Sequence, residues 1–276
     1  MTTPPPTSAV YQLPRTAREA RRLDLQDEYL RPATEELLAA TGLPAGTAVR
    51  CLDVGCGTGS VMELLARTAA GSSLIVGLDL DTSAARARLV ALTHPGVRLE
   101  LVEGDLFEQR ALPGAPYDLT FSRYMLHHVA DPVAALGRMW ELTRPGGRLA
   151  LLDIDQGTTT TCPSWRPYQE LEDAIHELYR RIGIDKTIGH KLPALFEAAG
   201  IGRPDGIQVR GIMPTIAELA EFLALLFDAV RDKLVEHGVI SHDDVSRLER
   251  ELATAPAQVS TYCLRPLSVG VWKRKP

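Results

Sequence analysis

The apolar positions of this chain change rhythm twice. Between Thr16 and Gly42, Leu23, Leu30 and Leu37 recur every seven residues with charges between them, the single apolar stripe of a helix. Pro32 lies inside that stretch and predicts a split into two helices, the second ended by Gly42. Short apolar runs then alternate with amphipathic ones. AVRCLDV (48–54), SLIVGLDL (73–80), VRLELVEGD (97–105), YDLTFSRY (117–124) and GRLALLDID (147–155) read as strands. SVMELLARTA (60–69), TSAARARLVALT (82–93) and PVAALGRMWELT (132–143) read as helices, the last with Asp131 as N-cap and Pro132 at its first position. Strands and helices alternating at this length predict an α/β fold: a doubly wound, mostly parallel sheet with helices on both faces. Runs such as Leu149–Leu152 suit strands covered on both sides.

After Asp155 the alternation stops. Residues 156–164 read as a polar loop and 165–182 as a helix, with Tyr168, Leu171, Ile175, Leu178 and Ile182 on one face. A short helix (191–200) and a strand (207–213) follow. Thr215 with Glu218, and Ser241 with Asp244, have the spacing of capping boxes that open two more helices. The first of these carries Leu219, Leu223, Leu226, Val230 and Leu234 at helical spacing. Residues 259–275 read as one closing strand. The division that results is an N-terminal arm and helical lid (1–42), a core (43–155) and a specificity region (156–276) with a helical insertion at 214–256.

Composition removes several function classes. The chain has 276 residues, 45% hydrophobic and 24% charged, with a net charge of -5 and no long basic stripe, which argues against a nucleic-acid partner. Cys51, Cys56, Cys162 and Cys263 are scattered without a CxxC pair, so neither a metal site nor a disulfide framework is expected, and a reducing cytoplasm fits. The polar, Pro-rich start is not a signal peptide. The most apolar long stretch (216–230) is interrupted by Glu218, Glu221 and Asp228 and is too short to span a membrane.

The chemistry concentrates in CLDVGCGTGS (51–60). Gly55, Gly57 and Gly59 sit where a strand turns into a helix, at the carboxyl edge of the sheet where such folds bind ligands. A triphosphate loop would end in Gly-Lys-Ser/Thr, and here Gly59 is followed by Ser60 with no lysine. A dinucleotide loop would read GxGxxG, and here Ser60 takes the place of the last glycine. A third ligand type has an amino-acid end: Asp53 can hold an ammonium, directly or through water, and backbone N–H groups a carboxylate.

Five motifs in order carry a family resemblance: LDVGCGTGS, VGLDLD, VEGDLFE, YDLTFSRYMLHHV and LTRPGGRLAL. Over residues 45–155 the chain resembles the class I, Rossmann-like S-adenosylmethionine-dependent methyltransferases. The resemblance implies S-adenosylmethionine as cofactor and S-adenosylhomocysteine as product. It implies a cofactor site made of Asp53, Gly55, Gly57 and Gly59, of Asp79 on the ribose hydroxyls beside Leu80, and of Asp105 near the adenine amino group beside Leu106. Ser122 and Arg123, after the fourth strand, match a neighbourhood that faces the methionine moiety. The resemblance also implies an antiparallel last strand and makes 214–256 an insertion, either a cap over a hydrophobic substrate or a homodimer interface.

Methyl transfer requires the acceptor to be aligned and water excluded, with a base where the acceptor is a hydroxyl. His127 is the candidate base, with His128, His176, His190 and Asp155 behind it. Tyr11, Arg22 and Gln26 of the lid are placed to reach the methionine end. The expectation is a cytoplasmic methyltransferase acting on an oxygen, nitrogen or carbon of a small molecule, such as a bacterial secondary metabolite. The alternative is an enzyme that binds the same cofactor for a non-methylating cyclisation or rearrangement.

Overall fold

The computed structural model describes residues 16–44, 46–90 and 94–276. The predicted arm and Tyr11 lie outside the described residues, as does the predicted end of the third helix (91–93). Helix α1 (Ala17–Ala40) leads into β1 (Arg50–Val54), α2 (Ser60–Thr68), β2 (Ser73–Asp79), α3 (Ser83–Leu89), β3 (Val97–Glu103) and β4 (Tyr117–Arg123). Then come α4 (Pro132–Leu142), β5 (Thr143–Asp155), β6 (Thr160–Cys162), α5 (Arg166–Arg181), α6 (Leu192–Ala198), β7 (Gly206–Arg210), α7 (Ala220–Glu236), α8 (His242–Leu252), β8 (Tyr262–Leu264) and β9 (Leu267–Arg274).

The main sheet has seven strands in the order β3-β2-β1-β4-β5-β9-β7. All its neighbours up to β5 are parallel, and β9 runs antiparallel to both β5 and β7. The chain winds outward from β1 through β2 to β3, then returns to the other side of β1 as β4. The strand order reverses between β1 and β4, so a crevice opens at their carboxyl ends, where the glycine loop lies. One face of the sheet packs Leu136, Met139 and Phe196 of α4 and α6; the other packs Leu37, Met62 and Leu65 of α1 and α2.

A separate helical core joins the insertion to the rest. Tyr168, Leu171 and Leu178 of α5 meet Leu223, Val230 and Leu234 of α7 and Leu248 of α8, all nearly inaccessible. The apolar face of α7 is thus covered within the chain by α1, α5 and α8, and it is not offered to a second copy.

Three expectations need correction. Helix α1 is not split: Pro32 sits on its exposed side, and the one backbone donor it removes is the partner of Glu28 O. Burial of Leu25, Leu30, Ala33 and Leu37 in a single line outweighs the lost backbone bond. The polar loop at 156–164 contains β6, which pairs with β8 in a small second sheet. The closing segment is two strands, because Pro266 has no N–H to continue a ladder. Both capping boxes form, although after Thr215 a turn intervenes before α7 begins at Ala220.

Candidate functional site

A cavity of about 560 Å³ opens over the carboxyl ends of β1, β2 and β4, walled by α1, α5, α7 and the segment before β9. The glycine loop forms one end. Gly55 N and Cys56 N both donate to Leu78 O, at 2.8 and 3.2 Å, which folds the loop back onto β2. Gly55 has φ +73, and a Cβ there would stand 2.5 Å from Met125 Cγ, so no other residue fits without displacing Met125. Gly57 N donates to Asp79 Oδ2 at 2.8 Å, and Asp81 N to Asp79 Oδ1 at 3.1 Å. Gly59 does not line the cavity; it is the N-cap of α2 at φ 78, and a Cβ there would lie 3.3 Å from Ala85 Cβ in α3. Its place is taken on the wall by Thr58 and Ser60.

Asp53 is 1% exposed and lines the cavity, and its Oδ2 has no hydrogen-bond partner among the described residues. Burial pushes its carboxyl up to about 7; the Arg123 guanidinium pulls it down and the Asp79 carboxylate pushes it further up. A buried carboxyl of this kind is completed by a cation, and an ammonium group fits. Asp79 and Leu80 follow at the end of β2. Asp105, Leu106 and Phe107 line the cavity after β3, where Phe107 N donates to Asp105 Oδ1 at 2.8 Å.

Ser122 and Arg123 have other duties. Ser122 does not line the cavity; its Oγ donates to Val54 O at 2.8 Å and ties β4 to β1. Arg123 does line it, but its guanidinium is engaged by Asp27 at 2.7 Å, Thr34 at 3.0 Å and Ser60 at 2.7 Å. Burial alone would raise Asp27, and the opposing pull of Arg123, Ser60 and Arg31 leaves it below the ordinary carboxylate value. The pair is a clamp between α1 and β4 rather than a hand extended to a ligand.

His127 lines the cavity and is buried, its Nδ1 2.6 Å from Asp153 Oδ1. Asp153 also accepts from Leu126 N at 2.9 Å and Ile154 N at 2.8 Å, so this carboxylate is held rigidly. With Asp153 accepting, Nδ1 carries the proton and Nε2 is left as the basic nitrogen. His128 also lines the cavity, its ring 3.9 Å from that of His127, and burial lowers it well below the ordinary histidine value, so it stays neutral. His176, His190 and Asp155 do not line the cavity. His190 and Asp155 bond to each other, and His176 is exposed on α5. On α1, Arg22 and Gln26 do face the cavity, with Arg22 bonded to Gln26 at 2.7 Å and to both oxygens of Glu19 at 2.8 and 2.7 Å.

Motif reasoning missed the far end of the cavity, made by Gln156, Glu172, Tyr179, Lys186, Phe222 and Arg265. These residues come from five separate segments with no shared spacing. The one usable signal was Pro266, which interrupts the closing strand beside Arg265.

Comparison with known proteins agrees with this geometry. Residues 52–151 match the family model described as a methyltransferase domain. Over 154 residues the chain is 33% identical to 2-phytyl-1,4-naphtoquinone methyltransferase of Thermosynechococcus vestitus, covering 55% of this chain and 66% of that protein. Over 130 residues it is 29% identical to an S-adenosyl-L-methionine-dependent Diels-Alderase of Talaromyces variabilis, covering 47% and 44%. A Bacillus halodurans protein solved as a presumed methyltransferase superposes with a TM-score of 0.56 at 17% identity, covering 88% of this chain and 98% of that one. The chain spans about half the length of the curated relatives it matches. Residues 52–151 thus carry a methyltransferase domain.

Proposed function

We propose that the protein transfers a methyl group from S-adenosylmethionine to a small organic molecule held in the cavity. The observation that carries this reading is the partnerless, buried Oδ2 of Asp53 beside the glycine loop, which calls for a cationic ligand group. Asp53 would take the ammonium of the methionine moiety, Asp79 the ribose hydroxyls, and Asp105 with Leu80 and Leu106 the adenine end. Bound there, S-adenosylmethionine supplies an electrophilic sulfonium methyl. The chain supplies the rest: α1 and α7 exclude water, the apolar wall orients the acceptor, and His127 Nε2 is available to accept a proton from a hydroxyl acceptor.

The substrate is read as a small molecule because the surface of the cavity is mostly apolar and the net charge is -5. The likeness to a naphthoquinone methyltransferase supports an apolar ring system. The setting is read as cytoplasmic; among the described residues no helix is long and apolar enough to cross a membrane. The likeness to the Diels-Alderase supports the second reading, in which the same cofactor site serves a cyclisation.

Calorimetric titration with S-adenosylhomocysteine tests the cofactor, with NAD as control. Wild type should bind S-adenosylhomocysteine and not NAD. Asp53→Asn and Asp79→Ala should each weaken binding by about tenfold or more, the value of one charge-assisted contact. Binding of NAD alone overturns the reading. Product masses then separate the chemistries: methylation adds one methylene, and cyclisation adds nothing.

A further inference from the structure

Five cationic side chains line the cavity: Arg22, Arg123, Lys186, Arg210 and Arg265. Three are engaged by carboxylates: Arg22 by Glu19, Arg123 by Asp27 and Arg210 by Glu36. The other two are not. Lys186, on the loop between α5 and α6, makes no side-chain hydrogen bond or ion pair among the described residues, and its ammonium lies 4.4 Å from the centroid of the Tyr179 ring. Arg265, just ahead of β9, stacks on Phe222 with its guanidinium carbon 4.3 Å from the ring centroid, and its buried Nη1 has no hydrogen-bond partner among the described residues.

The carboxylates near Lys186 make their hydrogen bonds elsewhere, while their charge still acts on the lysine. Glu172 on α5 accepts from Gln156, and Asp153 on β5 is held by His127 and two backbone N–H groups. Arg22 on α1, His128 after β4 and Arg265 complete the charged and titratable surroundings of the lysine. Burial lowers the ammonium to about 8, with Glu172 pulling back up and Arg22 and Arg265 pushing further down. Two half-buried cations resting on aromatic rings, with no carboxylate in direct contact and only the charge of Glu172 and Asp153 acting on the lysine from a distance, leave donors free that a ligand oxygen would satisfy.

We propose that Lys186 and Arg265 form an oxyanion site for the substrate, so that the cavity accepts an apolar molecule bearing an acidic oxygen: a carboxylate, or an enol or phenol bound in its ionised form. The proposal rests on the reading of the cavity as the acceptor site of a methyl transfer. A carboxylate would be an anchoring group. An ionised hydroxyl would itself be a nucleophile whose proton has already left.

The test uses the full chain saturated with S-adenosylhomocysteine and three probes of matched size: 2-naphthoate, 2-naphthol and 2-naphthylmethanol. At pH 7, 2-naphthoate or 2-naphthol should bind about tenfold more tightly than the neutral alcohol, the worth of one charge-assisted contact. Preference for 2-naphthoate identifies a carboxylate anchor. Preference for 2-naphthol, with the absorption spectrum of the naphtholate appearing on binding, identifies an ionised hydroxyl. Lys186→Met and Arg265→Met should each remove most of that preference while S-adenosylhomocysteine still binds, and Lys186→Arg should restore it. A preference for 2-naphthoate should also fall as pH rises through 8, where the ammonium loses its proton, whereas a preference for 2-naphthol should rise up to that pH and then level off. Equal affinity for all three probes, no binding of any of them, or a preference that survives both Met variants overturns the proposal. Failure to bind S-adenosylhomocysteine would instead overturn the cofactor reading.

Discussion

Asp53 sets the protein's stability against its use. Its carboxyl titrates near 7 in the folded chain, where burial disfavours the charge, against about 3.9 in an unfolded chain. Between those values the folded state holds a proton that the unfolded state has lost. The ligand-free protein therefore loses stability as pH rises from about 4 to 7, by an amount on the order of 4 kcal/mol. An ammonium ligand needs the ionised form, so affinity for S-adenosylhomocysteine should tighten over the same rise, and titrations at pH 6 and 8 check the sign. Asp53→Asn removes the ionisation and should melt a few degrees higher than wild type at pH 8 by calorimetry, even as it loses the ligand. Arg123 gives a second prediction at this scale. It is 12% exposed and Asp27 6%, so Arg123→Met leaves the buried Asp27 paired with Arg31 but short of one charged partner, and should cost about 1 to 3 kcal/mol in denaturant unfolding. Arg123→Met with Asp27→Leu should recover much of that loss, since removing both charges restores neutrality.

At the scale of elements, the most informative helix is the one whose prediction was partly wrong. Leu23, Leu30 and Leu37 do mark its inward side: Leu30 and Leu37 are buried, and Leu23 lines the cavity. Pro32 does not divide it, because the ring points outward and tertiary packing holds both halves in line. Pro32→Ala restores a backbone donor in mid-helix. It should raise stability by roughly 1 to 2 kcal/mol, part of the usual cost of a helical proline, as read from urea midpoints. Loss of stability would mean that α1 depends on a bend there. The same distinction between local signal and tertiary context explains what the sequence made legible. The glycine loop, Asp79 and Asp105 announced themselves because strand ends and turns impose local spacing. Lys186, Arg265 and Glu172 did not, since their partnership exists only after α5, the following loop and the last strand have been brought together. Arg123 stands at the end of β4 and lines the cavity as expected, and its bond to Asp27 was not legible because nothing near it in sequence names that residue.

On the scale of the whole molecule, the cavity lies between two cores of different origin. The sheet and its helices form one side, and α5, α7 and α8 the other, with α1 touching both. Arg21 pairs with Glu221 and Arg18 with Asp228 across the α1–α7 boundary, at exposed positions worth little each. Tyr29 meets Phe222 edge-on, with centroids 6.2 Å apart, and this contact belongs to the same wall as Arg265. Ligand binding should therefore draw the two cores together through α1. Hydrogen exchange in α1 and α7 should slow when S-adenosylhomocysteine is added, while β1 to β5 should change less. Uniform slowing across the chain would count against a joint at α1.

The place of β9 in the sheet has a consequence for how the protein is made. In the finished sheet β7 bonds to β9 alone, and β9 separates it from β5. On the ribosome, β5 and β7 emerge well before residues 267–274 exist. During that interval β5 shows an open edge, and β7 has no strand in the sheet to pair with. Synthesis thus passes through a stage in which the glycine loop can be complete while the far wall of the cavity, Arg265 included, is still being translated.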